Sequence, residues 1–535
     1  MSGHKFRLQA RRSPLLIVCA VFALAGLACA QGSSPNVIYI TATFSSAGAT
    51  DEPIQNPFMP TLTATGPTAT PIQPTPNAPR QSTRRNVAYT VKAGDSLASI
   101  AANAGTTLEE ILKLNPTLTT STILATGQNV TIPNVPTLLT PNFKIIPDSE
   151  LVNSPGARGF DIAQYVKFQP GFLRAYSEVV QGRLYSGTQI IQIVAQQNSV
   201  NPRILLALLE YRSGWITTPM PTGNKLDYPL GWINPAKRGL FSQLAWTADW
   251  LNDGYYGWKQ RGLASVSFAD NFKLAFAGEL NAGTVALQYF LGQGMDRATW
   301  SRDVSAQGVF AVYLTLFGDP FRYAIEPLIP ANLSPPEMTL PYAAGETWYY
   351  TGGPHGGWDA ASGWAGIDFA PPRPPDTLIQ QQGQCYISPI YARAMMAGLV
   401  VRSGDGVIVL DSDLDGDERT GWVLTYLHMS SEGIIPAGKP VQVGDPLGKP
   451  SCEGFNLSAA ATHVHIARRY NGEWIAADCW ACPPDVPAPT WVIGGWTVKG
   501  RPGEIYQGTL MRGTEIKYAE AGRGGVDNEV RYDTP

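Results

Sequence analysis

Histidine is scarce in this chain. There are five in 535 residues, and apart from His4 they all lie between positions 355 and 465, as His355, His428, His463 and His465. Charge is scarce too: Asp, Glu, Lys and Arg make up 15% of the residues and the formal net charge is −3. That excludes the strongly basic surface by which proteins hold nucleic acid. After the first thirty residues no apolar run reaches the about 18 residues needed to cross a membrane, so no transmembrane helix is expected in the mature chain. The abundant residues are Gly (54), Pro (44) and Trp (14), which suit a loop-rich, partly β protein with aromatic surfaces fit for carbohydrate contact. A chain this long exceeds one hydrophobic core and implies several domains.

The N-terminus reads as an export signal. Lys5, Arg7, Arg11 and Arg12 precede an apolar run over 14–28, and Ala28-Cys29-Ala30 supplies a small-x-small cleavage site, which assigns residues 1–30. Gly26-Leu27-Ala28-Cys29 also resembles the bacterial lipoprotein box, although Gly26 stands where leucine is usual. Both a lipid anchor through Cys29 and plain secretion stay open, and either puts the mature protein outside the cytoplasm. Residues 31–86 are a Pro/Thr-rich spacer without the apolar content for a core.

Residues 87–134 change character. A strand at Ala88-Tyr89-Thr90-Val91, a turn at Lys92–Asp95, a helix over 96–104, a second helix opened by Thr107 with Glu110 three positions on, and a strand closing at Ile132-Pro133 spell a β-α-α-β unit. Tyr89-Thr90-Val91-Lys92-Ala93-Gly94-Asp95-Ser96-Leu97, Asn115-Pro116 and Gly127-Gln128-Asn129-Val130-Thr131-Ile132-Pro133 resemble a LysM domain. The resemblance implies binding of peptidoglycan and other GlcNAc-containing glycans, through the loops near 94–96 and 115–117.

Residues 150–330 carry helical patterns, at 188–197, 203–212, 240–252, 271–290 and 307–316. The run Asn198-Ser-Val-Asn-Pro-Arg-Ile-Leu-Leu-Ala-Leu-Leu-Glu210-Tyr-Arg-Ser-Gly214 resembles the segment of lysozyme-like lytic transglycosylases that bears the catalytic glutamate. Glu210 is then the candidate general acid, in an apolar pocket that would raise its pKa. In that family glutamate directly precedes serine, whereas here Tyr211 and Arg212 intervene before Ser213. A catalytically silent lysozyme-like fold is the alternative.

Residues 335–485 revert to short strands and glycine-rich turns, the pattern of an antiparallel β domain. His463-Val464-His465 on a strand puts both imidazoles on one face, and Gly366-Ile367-Asp368-Phe369-Ala370-Pro371 places a carboxylate near the end of a hydrophobic strand. Three N/O ligands with an open position make a catalytic Zn²⁺ site. These two motifs, with Tyr426-Leu427-His428-Met429-Ser430 and Gly444–Gly448, resemble the lysostaphin/LytM-type zinc metalloendopeptidases. The resemblance implies Asp368 and His465 as metal ligands, and His463 and His428 beside the open position, orienting water and stabilising the oxyanion, with His463 transferring the proton.

One departure is conspicuous. The family has histidine four residues before the aspartate, and here Trp364 stands there. His355, flanked by Gly352, Gly353, Gly356 and Gly357, is the nearest histidine upstream, and treating 356–363 as an insertion makes His355 the third ligand. A two-ligand degenerate site, or His355 with Asp359 as a shifted pair, are the alternatives. Asp411, Asp413 and Asp415 open a run like a Ca²⁺ loop, but Trp422 stands at the twelfth position, so a solvated acidic hairpin tip competes with a weak Ca²⁺ site. Cys385, Cys452, Cys479 and Cys482 are an even set in an exported domain and predict two disulfides, with three pairings open. Residues 486–535 read as a few added strands and a polar tail. The functional expectation is an extracytoplasmic peptidoglycan endopeptidase targeted by LysM. Its rivals are an inactive wall-binding or hydrolase-activating protein and a transglycosylase using Glu210.

Overall fold

The computed structural model describes residues 87–533, apart from Gly105, 133–138, Asn271, 456–458, 484–485, Pro487 and 523–524. The export signal, Cys29 and the Pro/Thr spacer lie outside the described residues. Among the described residues no helix is long and apolar enough to cross a membrane.

The first unit is the expected β-α-α-β: β1 (Val87–Thr90), α1 (Leu97–Asn103), α2 (Leu108–Leu114) and β2 (Asn129–Ile132), with β1 and β2 antiparallel. Thr107 and Glu110 form a reciprocal capping box that starts α2. Val91, Leu97, Ile100, Ala101, Ile111 and Val130 make its own small core, separate from the rest of the protein. Asn115 stops α2 and also staples it to β2: its amide donates to Ile111 O and Thr131 O at 2.7 and 2.6 Å and accepts from Thr131 N at 2.9 Å. The Asn115 side chain is therefore structural, although its loop was expected to face glycan.

The middle region is largely helical. A hairpin of β3 (Ser177–Val180) and β4 (Arg183–Ser186) leads into α3 (Gly187–Asn198), α4 (Pro202–Ser213) and the long α5 (Leu240–Gln260). Ser186 and Gln189 cap α3 reciprocally, and Asn201 with Pro202 starts α4, as the Asn-Pro pair predicts. The helix expected over 271–290 is only half present. Strand β6 (Lys273–Ala275) pairs with β5 (Ser265–Ser267), and α6 begins at Ala282 and ends at Gly292. The Lys-Leu-Ala run is short enough for either state, and tertiary pairing decides it. Helix α7 spans Val309–Phe317.

The C-terminal half is built on one antiparallel sheet. Its strands are β7 (Thr347–His355), β8 (Gly366–Ala370), β9 (Gly398–Gly404), β10 (Val407–Asp411), β11 (Trp422–Leu427), β12 (Pro440–Val441), β13 (Val464–Tyr470) and the short β14 (Glu473–Trp474). A second sheet follows, β15 (Val492–Ile493), β16 (Trp496–Arg501), β17 (Glu504–Arg512) and β18 (Glu515–Tyr518). The last strand, β19 (Glu529–Arg531), returns to the first sheet, whose order is β12-β9-β10-β11-β13-β8-β7-β19, with β14 on β13. The tail thus completes the edge beside β7.

Strands β8, β10 and β11 are buried at every residue. That pattern belongs to a sheet covered on both faces. Ile367, Phe369, Leu410, Leu424 and Ile466 pack with Trp491, Trp496 and Leu510 of the C-terminal strands. Val407, Val409, Val423, Ala467 and Trp474 share a core with the helical region. Polar links reinforce that second contact. Lys259 on α5 pairs with Glu473 at 2.6 Å, Tyr255 Oη donates to the same carboxylate, and Trp474 N donates to Tyr256 Oη at 2.9 Å. Glu418 is held between Arg402 and Arg469 at 2.9 and 2.8 Å. Burial opposes its charge, but the two guanidiniums more than offset that and hold the carboxyl down at about 2. Both expected disulfides are present, Cys385–Cys452 and Cys479–Cys482.

Candidate metal centre

Register builds the site. Asp368 on β8 lies opposite His465 on β13, and His355 at the end of β7 lies opposite Gly366. Alternation turns Ile367, Phe369 and Ile466 into the core and leaves Asp368 and His465 on the other face. Two irregularities in the β7–β8 pairing, between Tyr350 and Gly352 and between Gly352 and His355, re-aim the end of β7 so that the imidazole turns toward Asp368. His355 thus arrives on a strand end, and the segment after it is the insertion that separates it from β8.

Three ligand atoms converge. His355 Nε2 lies 2.9 Å from His465 Nδ1 and 3.3 Å from Asp368 Oδ1, and His465 Nδ1 lies 3.0 Å from the same oxygen. Zinc bonds of about 2.0–2.1 Å in tetrahedral geometry place neighbouring ligand atoms about 3.3 Å apart. The spacing therefore fits one small divalent ion. The other nitrogen of each ring is tied to a backbone carbonyl: His355 Nδ1 to Gly353 O at 2.8 Å and His465 Nε2 to Gly357 O at 3.1 Å. Only an N–H satisfies a carbonyl, so each ring turns its bare nitrogen to the cluster, the tautomer a metal ligand needs. Burial opposes the charge on Asp368, yet His355 and His463 hold its carboxyl well below the usual carboxylate range.

The glycines around this cluster are required by contact rather than by backbone freedom. A Cβ on Gly352 would sit 2.3 Å from Asp368 Oδ2, and one on Gly366 would sit 2.2 Å from His465 Cε1. Gly357 meets Trp474 at 2.5 Å in the same way. The expectation that Gly352, Gly353, Gly356 and Gly357 serve as hinges is replaced by one of close approach.

His428 and His463 stand beside the cluster with ring centroids 4.7 Å apart. His463 Nε2 is 3.7 Å from Asp368 Oδ1. Their Nδ1 atoms face the carbonyls of Glu453 and Ala461 at 3.1 and 2.8 Å, which leaves each Nε2 as a proton acceptor. Burial, with His463 and His465 alongside, pushes His428 down to about 3, so it is neutral at physiological pH.

A residue not singled out in the sequence completes the wall. Tyr506, on β17, stacks on His355 with centroids 4.1 Å apart and planes inclined by 24°. Its phenol is pushed up by burial and by Asp368. Three residues other than glycine with left-handed backbone surround the site: Trp364 (φ +48°), His428 (φ +64°) and Tyr506 (φ +64°). Each such residue costs on the order of 1 kcal/mol or more, and strain of this kind concentrates at functional sites.

The other expected residues fall elsewhere. Asp359 faces Asp249 of α5, and the two carboxyls share a hydrogen bond, so Asp359 does not join His355 as a ligand pair. Glu210 ends α4 with its carboxylate accepting from Ile216 N at 2.8 Å, Thr217 N at 3.2 Å and Thr217 Oγ1. It organises the turn after α4 and does not stand in the expected apolar pocket. Asp411, Asp413 and Asp415 do come together, with ligand atoms within 4.8 Å of one another. Asp411 is buried, and burial with Asp413 alongside pushes its carboxyl up to about 6. Asp417, two residues on, is engaged by Arg158 and Arg419.

Comparison with known proteins bears on the parts separately. The family model for the LysM domain matches residues 89–133. Residues 89–133 form a LysM domain. The model described as LasA, N-terminal domain matches residues 144–332, and this, rather than a lysozyme-like family, is what the middle region resembles. No curated protein matches the chain. Among solved structures, the M23 metalloprotease pseudoalterin from the deep sea is 20% identical, with 35% of this chain and 96% of that one covered and a TM-score of 0.25. The catalytic domain of lysostaphin from Staphylococcus simulans is 22% identical, covering 24% and 87%, with a TM-score of 0.16. The prophage-encoded M23 protein EnpA from Enterococcus faecalis is 21% identical, covering 26% and 93%, with a TM-score of 0.17. At these scores the likenesses carry no argument about chemistry, which rests on the residues themselves.

Proposed function

We propose that the protein is an extracytoplasmic zinc-dependent endopeptidase that cuts the peptide cross-links of peptidoglycan, held on the wall by its LysM domain. The observation that carries this reading is the convergence of His355, Asp368 and His465 at zinc-ligand spacing, with the acceptor nitrogens of His428 and His463 beside them. The donor set fits Zn²⁺: two neutral imidazoles and one carboxylate, with both rings fixed by a second hydrogen bond. When bound, the ion would supply Lewis acidity toward the scissile carbonyl and lower the pKa of water.

The chain's own residues do the rest. His463 takes the proton from the attacking water and returns it to the leaving amine. His428, neutral in its buried position, orients the same water and is ready to take the charge that develops on the oxyanion side. Tyr506 and the β17 strand close the pocket over His355 and limit water. Export is supported by the charged and apolar N-terminal segments and by two disulfides, which persist in oxidising compartments.

The test is digestion of purified cross-linked walls by the zinc-loaded protein. New free amino groups with intact glycan strands are expected, and Asp368→Ala should abolish both zinc retention and their release. Reducing sugar ends released without new amino groups would point instead to glycan cleavage.

A further inference from the structure

Two features that the peptidase reading leaves unused meet in space. One is Trp364, which stands where the family has a metal ligand. The other is the four-residue disulfide loop Cys479-Trp480-Ala481-Cys482. Their indoles lie 6.0 Å apart and are inclined by 45°. Trp480 is 41% exposed, a large open indole face. We propose that Trp364 and Trp480 form a subsite for an N-acetylated amino sugar of the glycan strand, next to the metal centre.

The loop is built to present that ring. The disulfide closes it at Cys479 and Cys482, and Asp478 just before it accepts from Gly500 N at 2.9 Å and Lys499 Nζ at 3.3 Å. Trp364 is held from behind, its carbonyl accepting from Ala477 N at 2.9 Å. Between the two indoles is a recess of about 10 Å³, with Gln260 and Arg261 from the end of α5 on its far wall. That volume admits about one small group and no sugar ring. Arg261 Nη2 is engaged by Asp253, but its Nη1 is buried and has no hydrogen-bond partner.

These features describe one ligand chemistry. An exposed indole face suits the apolar face of a pyranose ring, and an unpaired donor in a shallow recess suits a single carbonyl oxygen. An acetamido group on a stacked sugar offers both at once. The position is also suited to substrate. Trp480 and Pro354 both pack against Gly500, and Pro354 immediately precedes His355; Trp364 is two residues before Gly366, the strand partner of His355. A glycan strand seated on Trp480 would bring its attached peptide toward the metal ligands. This assignment rests on the peptidoglycan reading above for its substrate class.

The experiment is calorimetric titration of the full-length, metal-free protein with the tetramer of GlcNAc. No hydrolysis is involved, so the outcome stands apart from whether the protein is a peptidase. Trp480→Ala should lose one binding event that the parent protein shows, with at least a tenfold fall in affinity at that site, while Trp480→Phe keeps it. Arg261→Met leaves both rings in place and should weaken the same event, which covers the case of a misfolded Trp480→Ala protein. The LysM contribution remains in every variant. A Trp480→Ala protein with an unchanged melting temperature that titrates with the parent's stoichiometry and affinity would overturn the assignment. So would an Arg261→Met protein indistinguishable from the parent.

Discussion

Gly366→Ala is the most informative small change in the molecule. The added methyl would sit 2.2 Å from Cε1 and 2.7 Å from Nε2 of His465. Ordinary carbon contacts need about 3.5 Å, so the imidazole must retreat by roughly 1 Å. Metal–ligand bonds tolerate displacements of only about 0.2 Å. Loosening even an outer partner of a ligand typically weakens metal affinity by about 10–100-fold, and displacing the ligand itself should weaken it by at least that much. The backbone at Gly366 needs no left-handed angle, so the fold should survive. The assay is zinc affinity by competition with a chromophoric chelator, beside a thermal melt. Gly278→Ala, a glycine with open space around it, is the control and should match the parent in both. A Gly366→Ala protein that holds zinc with the parent's affinity would refute the placement of His465 as a ligand.

The carboxyls of Asp249 and Asp359 are both raised, by burial first, then chiefly by each other at Asp359. A raised folded-state pKa means that the folded protein holds more protons, so this joint contributes fully below about pH 3.8 and loses its contribution as pH rises through the raised values. Asp359→Asn should therefore gain melting temperature over the parent as pH is raised from 4 to 8, and parallel curves would count against the pair. Lys259→Met should lower stability by about 3–5 kcal/mol in a denaturant melt, because Glu473, 1% exposed, is left without its cation. Removing Cys385–Cys452, which spans 67 residues, should cost about 4 kcal/mol by loop entropy, read from melts of the doubly serine-substituted protein.

The LysM domain was legible because its punctuation is local: a capping box at Thr107 and Glu110, and Asn-Pro after the second helix. The strands carrying Asp368 and His465 were legible from alternation. His355 was reachable by elimination, but the reason for its neighbouring glycines was not. Close approach between strands is a tertiary fact, and a glycine at a turn looks the same in sequence as one pressed against a metal ligand. Tyr506 was hidden for a related reason. It lies 41 residues beyond His465, in a strand pair with no chemical motif, and only the packing of β17 against β7 brings it over His355. Glu210 failed in the opposite direction: an apolar helix ending in glutamate gives no sign that the next turn will use the carboxylate as its cap.

The central claim is that His355, thirteen residues before Asp368, replaces the missing histidine at position 364 as the third ligand. X-ray absorption spectroscopy of the zinc-loaded full-length protein tests it directly. The account predicts one zinc per chain, bound by nitrogen and oxygen at about 2.0–2.1 Å with two imidazoles, and a His355→Ala protein that loses one imidazole and most of its zinc. A His355→Ala protein with the parent's zinc content and an unchanged two-imidazole spectrum would contradict it.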